Sequence, residues 1–411
     1  MPERPSRITA LDALRGVGVL GILPVHIQSF AMVVAARVNP SVSGDLHGPN
    51  GWIWLATAVL ADGKFLSIFA MLFGAGLLLL SGRGPDGPDS PYSPYSPYSI
   101  DRLHRRRMAL LLGIGLLHAY LLWYGDMLVT FAVCGVVVFG LRALPPRRLL
   151  ARGTLALACA SLIALGVGLS LPWWSSDTKA RFVQVWAPSQ EMVDREIAAY
   201  RGGWLGQMAY RAPEAFQIET SQLVLRGFWQ TSGLMLVGMG LFKQGVLSGT
   251  RSARFYLAMT GLGFGLGLPI AWYGAGRARA LDWDLSDFML AGTQLSYWSD
   301  LAVGLGWIGL VMLLCRAGWR ASAVAAVGRT ALSNYLLQTV LCTTIFYGHG
   351  LGLFARVDRV GQLLIVLGVW IVQLAWSRWW TRRFAVGPVE WAWRRVARAA
   401  ARRPDPRRAV W

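Results

Sequence analysis

Charged residues are scarce in this chain of 411 residues, because Asp, Glu, Lys and Arg together make up only 15% of it. Soluble globular proteins carry about 25% charged residues. Hydrophobic residues make up 55% of the chain and occur in long runs, without the alternation typical of outer-membrane strands. This composition excludes an ordinary cytosolic enzyme, a disordered chain and a small secreted domain. It predicts an all-α, polytopic integral membrane protein built as a helical bundle.

Cysteines and known catalytic signatures are also sparse. The chain has no Walker sequence, no HExxH, no GxSxG and no CxxC pair. We therefore expect neither a disulfide framework nor a metal site, and no bound cofactor. The four cysteines all lie within apolar runs, at Cys134, Cys159, Cys315 and Cys342.

Ten apolar segments are long enough to cross a bilayer, for which about 20 residues are needed. An even number of crossings puts both termini on the same side of the membrane. The predicted segments are 10–36, 64–81, 108–124, 127–142, 149–171, 223–242, 255–275, 295–315, 330–347 and 360–377.

The net charge of +19 would suggest nucleic-acid binding in a soluble protein, but here it is explained by topology. If the N-terminus is cytoplasmic, 27 of the 40 Lys and Arg residues fall on the inner side and 12 on the outer side. The remaining one, Arg15, is counted within the first crossing segment. Cytoplasmic loops carry an excess of basic residues in membrane proteins. The charge distribution therefore predicts that both termini are cytoplasmic, and it predicts no nucleic-acid partner.

The loops divide the chain into unequal parts. The tract SPYSPYSPYS cannot continue a helix or pack a core, because proline recurs every third residue. It predicts a disordered cytoplasmic linker between two helical blocks. The predicted parts are the first two transmembrane helices (1–81), the linker (82–107), transmembrane helices three to five (108–171), an outer loop that forms a lid or an interfacial helix (172–222), a C-terminal transmembrane region (223–395) and an Arg-rich tail on the inner leaflet (396–411).

The first helix carries the most informative ionisable residues. Arg15 and His26 are eleven residues apart, which places them about 20° apart around the helix and about 16 Å apart along it. Asp12 lies one turn before Arg15 and can pair with it. Because ionisable groups are costly inside a bilayer, each is a functional candidate. The alternative is that Asp12 and Arg15 anchor the helix at the interface and that His26 is a packing residue.

A second group of ionisable residues lies around the hairpin between the third and fourth predicted helices. His118 is near the end of one helix and Asp126 begins the next, so both reach the same side of the membrane. A carboxylate orients an imidazole and raises its basicity. The alternative for Asp126 is a capping role at the start of the fourth helix. Lys64 and Glu390 lie at the edges of apolar segments.

Five segments closely resemble the YeiB-like bacterial membrane proteins, which carry domain of unknown function 418. The resemblance runs in order along nearly the whole chain and implies a location in the bacterial plasma membrane. The segments are LDALRGVGVLGILPVHI (11–27), KFLSIFAMLFGAG (64–76), GLLHAYLLWYGDML (115–128), GRTALSNYLLQTVLCTTIFYGHGLGLF (328–354) and FAVGPVEWAWRR (384–395).

The wider kinship of the YeiB-like proteins implies an activity. They are grouped with transmembrane acyltransferases, including acyltransferase family 3 and heparan-α-glucosaminide N-acetyltransferase. Acyltransferase family 3 has an Arg, ten further residues and then a catalytic His in its first helix, and Arg15 and His26 match that spacing. The resemblance thus implies transfer of an acyl group from cytoplasmic acyl-CoA to a glycan, a lipid headgroup or a secreted metabolite.

The roles expected under this hypothesis can be assigned to named residues. His26, His118 and Asp126 are the candidate catalytic residues, and Arg15, Asp12 and Lys64 would bind the donor. The remaining polar candidates are Asn334, Gln338 and Glu390.

A transporter or lipid-handling protein without covalent chemistry remains the alternative. Intramembrane Asp, His and Arg also form proton relays and substrate paths.

Overall fold

The chain folds into helices throughout the part that the structure describes. The structure, a computed structural model, describes residues 9–44, 46–80, 97–319 and 321–401, and these contain no strand. The predicted all-α fold is therefore confirmed for the described residues. The helices are α1 (Thr9–Ala31), α2 (Gly48–Leu60), α3 (Lys64–Leu80), α4 (Pro97–Leu117), α5 (Leu128–Phe139), α6 (Pro146–Ser170), α7 (Ser176–Trp186), α8 (Gln190–Arg201), α9 (Met208–Gln217), α10 (Phe228–Lys243), α11 (Ala253–Ala280), α12 (Leu285–Asp287), α13 (Thr293–Arg316), α14 (Ser322–Arg329), α15 (Ala331–Phe346), α16 (Arg359–Thr381) and α17 (Pro388–Ala401).

Six helical stretches in the described chain are long and apolar enough to cross a membrane, which indicates a multi-pass membrane protein. Helices are found at all ten predicted crossings. At four of them the helix is too short or not apolar enough to be recognised as a membrane span, namely over 108–124, 127–142, 223–242 and 330–347. The prediction of about ten crossings is thus supported at six positions. The six stretches are Thr9–Ala31, Gly48–Leu80, Pro146–Trp173, Ala253–Ala280, Leu285–Arg316 and Arg359–Thr381.

Helix α2 lies between the first two predicted crossings, where the sequence predicted no helix. Its 13 residues are too few to be recognised as a crossing on their own. Together with α3, however, it forms one apolar stretch of 33 residues. Gly63 joins the two helices with a φ of +72°, which favours glycine. A Cβ atom at Gly63 would also collide with the Asp300 carboxylate, so the joint lies directly against α13.

Two predicted loops are helical over much of their length. The outer loop 172–222 contains α7, α8 and α9. Of the linker 82–107, residues 82–96 lie outside the described residues, but α4 begins at Pro97, so residues 97–107 are helical rather than disordered. Proline is tolerated in the first turn of a helix. The ion pair between Arg142 and Asp101, at 2.7 Å, and the stacking of His104 on Phe139 hold this extension against α5 and the residues that follow it.

Helix α1 lies inside the bundle and positions the candidate site. It packs against α3, α14, α15 and α16, and 61% of its apolar window is buried. In α6 and α11, only 22% of the corresponding window is buried, so these helices present most of their apolar side chains outward. Such an apolar exterior is typical of lipid-facing helices.

Candidate functional site

A π-helical turn at the end of α4 presents His118. The turn spans His118–Leu122, after which Trp123 takes an extended conformation that ends the helix. Single π-helical turns occur often at functional sites because they displace side chains from regular α-helical positions. His118 is buried here, as are Trp123 and Tyr124.

Asp126 binds His118 and also caps the first turn of α5. Its Oδ1 lies 2.8 Å from Nδ1 of His118, and its Oδ2 accepts a hydrogen bond from the backbone N–H of Val129 at 2.8 Å. The capping role and the pairing with His118 therefore coexist. Because the carboxylate accepts, the proton of a neutral His118 ring resides on Nδ1.

Helix α15 supplies two further side chains, which the sequence did not single out. The Thr339 hydroxyl lies 2.8 Å from Nε2 of His118, so both ring nitrogens have partners. When His118 is neutral, its Nε2 accepts and the Thr339 hydroxyl donates. The Tyr335 ring lies 5.1 Å from the His118 ring, and its hydroxyl accepts from the backbone N–H of Met127 at 3.4 Å. Tyr335 and Thr339 are four residues apart, a spacing that places them on one helix face.

His26 approaches the same cluster from α1. Its ring centroid lies 4.9 Å from that of Trp123 and 6.5 Å from that of Tyr335. The ring is half-buried, and no described residue forms a hydrogen bond with it. The indole Nε1 of Trp123 is buried and likewise has no partner among the described residues. The rings of His26 and Trp123 are thus in contact, and neither has a hydrogen-bond partner among the described residues.

We call the set His26, His118, Trp123, Asp126, Tyr335 and Thr339 the histidine cluster. It contains all three residues predicted to be catalytic, brought together from α1, the α4–α5 hairpin and α15. No group of three or more His, Cys, Asp or Glu side chains suited to a metal ion occurs in the described part of the chain.

Arg15 and Asp12 lie towards the other end of α1, outside the histidine cluster. Arg15 Nη1 is 3.4 Å from Asp12 Oδ1, as their spacing predicted, and the Arg15 side chain is 27% exposed. Eleven residues of helix separate Arg15 from His26 by about 16 Å along the axis.

Lys64 is paired with a carboxylate that the sequence did not single out. Its Nζ lies 2.8 Å from Asp300 Oδ1 and donates to the Ala58 carbonyl at 2.7 Å. Because these partners enclose the ammonium, which is only 2% exposed, Lys64 is not part of the donor site that we propose below. The signal for Asp300 was its position within an apolar segment, where a charge is costly.

Asn334 and Gln338 belong to a separate buried network between α15, α16 and α1. The Asn334 amide donates to Ser377 at 2.8 Å, and the Gln338 amide donates to Gln373 at 3.0 Å and to the Val19 carbonyl at 2.9 Å. Gln373 in turn donates to the Asn334 side chain at 3.2 Å. With its polar groups engaged in this way, the network joins three helices.

Glu390 stabilises the start of α15. Its Oε1 accepts from the backbone N–H groups of Leu332 at 2.7 Å and Ser333 at 3.2 Å, and the Ser333 hydroxyl also bonds to its carboxylate. A carboxylate at a helix N-terminus satisfies otherwise unpaired donors and interacts favourably with the helix dipole. These contacts give Glu390 a structural role at the start of α15.

Known proteins resemble the chain over nearly its full length. The family model described as "Protein of unknown function (DUF418)" matches residues 241–400. The protein YeiB of Escherichia coli (strain K12) is 33% identical over 411 residues, which cover 96% of this chain and 97% of YeiB. The protein YxaH of Bacillus subtilis (strain 168) is 28% identical, over 94% of this chain and 93% of YxaH.

Both relatives are described as uncharacterized proteins, so the comparison supplies a family and no activity. The histidine cluster extends beyond the residues matched by the family model, because His26, His118 and Asp126 precede residue 241. The similarity to YeiB covers nearly all of both chains and agrees with the resemblance of the five sequence segments. These matches show that the chain belongs to the DUF418 family.

Proposed function

We propose that this chain is an integral-membrane acyltransferase of the bacterial plasma membrane. The observation that supports this proposal is the half-buried His26 ring, which has no polar partner among the described residues and lies beside the paired His118 and Asp126. An imidazole whose ring nitrogens have no partner can act as a general base towards a hydroxyl or amine. The acceptor would be the hydroxyl or amine of a glycan, a lipid headgroup or a secreted metabolite.

We assign the proton transfer of this reaction to His26. His26 removes the proton from the acceptor hydroxyl or amine as that atom attacks the carbonyl carbon of the acyl-CoA thioester. The C–S bond then breaks, and the CoA thiolate leaves and receives the proton from the His26 imidazolium. The partnerless Trp123 N–H is a donor within the cluster that can bind the oxyanion formed during the attack.

His118 has a different part in this mechanism, because both of its ring nitrogens are occupied. Asp126 sets its tautomer, and Thr339 and Tyr335 hold its ring from α15. We assign His118 and Asp126 as positioning residues that keep Trp123 and Tyr335 packed against His26. The arrangement is rigid because each member is held by at least one other helix.

Arg15 and Asp12 are assigned to the donor. In the proposed topology the termini are cytoplasmic, so Arg15 lies near the inner boundary, where a cytoplasmic acyl-CoA arrives. A guanidinium binds phosphate oxygens with two parallel hydrogen bonds. The separation of about 16 Å between Arg15 and His26 would let the phosphates of CoA stay at the boundary while the acyl group reaches the histidine cluster.

A transporter without covalent chemistry is the second candidate. The observation that favours it is the Lys64–Asp300 pair, which is buried among helices that an acyltransferase mechanism at His26 does not use. Buried ionisable pairs also serve as proton relays in transporters.

Release of CoA distinguishes the two candidates. Purified protein in detergent is incubated with acetyl-CoA or palmitoyl-CoA, with membrane lipid extract as the acceptor source, and free thiol is measured. We expect release by the wild-type protein and a loss of about 100-fold or more in His26→Gln, because general base catalysis contributes that much. His349→Gln, which alters an exposed histidine, is the matched control. Equal rates for wild-type and His26→Gln, or no release by the wild-type protein, would contradict the acyltransferase.

A further inference from the structure

A small and mostly apolar cavity lies between α1, α2 and α16. Its wall is lined by Pro24, Ile27, Gln28, Ile53, Thr57, Arg359, Gln362, Leu363 and Val366. Gln28 follows His26 by two residues, which is about 200° around α1, so the cavity is on a different side of the helix from the histidine cluster. Its properties are therefore independent of the function proposed above.

Among the described residues that line this cavity, Arg359 alone is charged. The residue is 2% exposed, although a buried guanidinium loses its hydration at a cost of several kcal/mol. Its Nη1 donates to Gln28 Oε1 at 2.7 Å. No carboxylate in the described part of the chain forms an ion pair with it.

The remaining edge of the Arg359 guanidinium has no partner. Both Nε and Nη2 are buried and make no hydrogen bond with any described residue. These two nitrogens form one edge of the guanidinium, with parallel N–H groups that fit the two oxygens of a carboxylate or phosphate. A bound anion would satisfy both donors and neutralise the buried charge.

Arg359 is the first residue of α16, and a side chain in the same turn adds to this preference. Gln362, one turn later, donates its amide to the Val357 carbonyl at 3.0 Å, and its Oε1 is buried without a partner among the described residues. Oε1 can accept a hydrogen bond from a hydroxyl or an amine beside the anionic group.

We propose that the cavity lined by Arg359 and Gln362 binds a phosphate or carboxylate group that carries a neighbouring hydroxyl or amine. Such a group occurs in a phospholipid headgroup and in small soluble phosphate esters or hydroxy acids. The site holds its ligand through Nε and Nη2 of Arg359, and Gln28 orients the guanidinium from the opposite edge.

The first experiment uses inorganic phosphate and glycerol phosphate as soluble probes. Thermal unfolding of lipid-depleted protein in detergent is followed at constant ionic strength, because a ligand of the folded state raises Tm in a saturable manner. We expect the rise in the wild-type protein, and about tenfold to 100-fold weaker apparent binding in Arg359→Gln. Arg356→Gln is the matched control, because it removes an exposed charge three residues earlier and outside the cavity.

The second experiment tests whether the ligand is a phospholipid. It also includes a second variant, in case Arg359→Gln fails to fold. Native mass spectrometry of protein purified without lipid depletion should show a retained phospholipid in wild-type and Arg356→Gln, and its loss in Arg359→Gln. Thr57→Leu fills the cavity and leaves the guanidinium in place, so it should weaken binding of either class of ligand. The proposal is overturned if Thr57→Leu binds like the wild type, or if neither the phosphate response nor lipid retention depends on Arg359.

Discussion

His118 and Asp126 lie 2.8 Å apart through Nδ1 and Oδ1, although a helix ends between them. Both side chains are buried, and the second carboxylate oxygen is held by the Val129 backbone. The pair is therefore fixed by the α4–α5 hairpin, independently of any ligand. This rigidity is what a positioning pair beside a reactive His26 requires.

Asp126→Asn is expected to lower CoA release by about 100-fold or more, while the protein still folds. The amide keeps the shape of the carboxylate and can bond to the imidazole, but it no longer sets the tautomer of His118. Thiol release and Tm are measured on the same preparation. Asp101→Asn, which affects the ion pair with Arg142 outside the histidine cluster, is the control and should keep the wild-type rate. A wild-type rate in Asp126→Asn would show that the pair is not needed.

The sequence could predict those parts of the site that depend on local geometry. The spacing of Arg15 and His26 along one helix and the approach of His118 and Asp126 across one hairpin follow from helix dimensions alone. The rest of the site depends on packing between helices that are distant in the sequence. Trp123, Tyr335 and Thr339 meet His26 and His118 only because α1, α4 and α15 converge, which no periodicity reveals.

The fold departed from the sequence prediction where helices are short or bent. Helix α2 has 13 residues and joins α3 through a glycine with positive φ, so a search for runs of about 20 residues missed it. Tyr98 to Arg107 follow a proline-rich tract, yet they form the first turns of α4 because neighbouring helices supply contacts. Tertiary contacts of this kind override local composition.

The protein should lose stability as the pH rises from about 4.5 to about 7. Burial raises the pKa of Glu196 from 4.5 to about 7, and the hydrogen bond from the Val34 backbone offsets this only in part. In this window the folded state holds a proton that the unfolded state has released, so the free energy of unfolding falls with pH, by roughly 3 kcal/mol in full. Glu196→Gln keeps an acceptor for Val34 and should flatten the pH dependence of Tm.

The control for this pH dependence is Glu191→Gln, an exposed carboxylate in the same helix. It should retain the wild-type slope of Tm against pH. If Glu196→Gln retains that slope as well, the protonation of Glu196 is not coupled to folding.

Labelling of single cysteines should place the predicted linker and outer loop on opposite sides of the membrane. The four native cysteines are replaced, and a cysteine is introduced by Ser93→Cys or by Ser189→Cys, the latter in the N-terminal cap of α8. An impermeant maleimide applied to intact cells should react with the second and spare the first, because the excess of basic residues predicts a cytoplasmic linker. Reaction of both from outside would refute the predicted topology.

Gly16→Ala should destabilise the packing of α1 against α14. A Cβ at Gly16 would collide with the Val324 backbone carbonyl, and a backbone atom cannot move aside cheaply. We expect a loss of about 1–3 kcal/mol, seen as a lower Tm, which is typical of overpacking. Gly113→Ala in α4 is the matched control. Its Cβ meets no atom within 4 Å, and alanine favours helix by up to about 1 kcal/mol. Equal effects of the two changes would contradict close packing at Gly16.

Lys64 and Asp300 should stabilise the fold mainly because each neutralises the buried charge of the other. Lys64→Met leaves the Asp300 carboxylate without its 2.8 Å partner, and Asp300→Leu leaves the ammonium with only the Ala58 carbonyl. Each single change should cost about 3–5 kcal/mol, because a lone charge remains buried. The double variant Lys64→Met/Asp300→Leu buries two apolar side chains and should recover most of that loss. Denaturant unfolding in detergent measures the cycle, and additive losses in the double variant would show that the two residues are not energetically coupled.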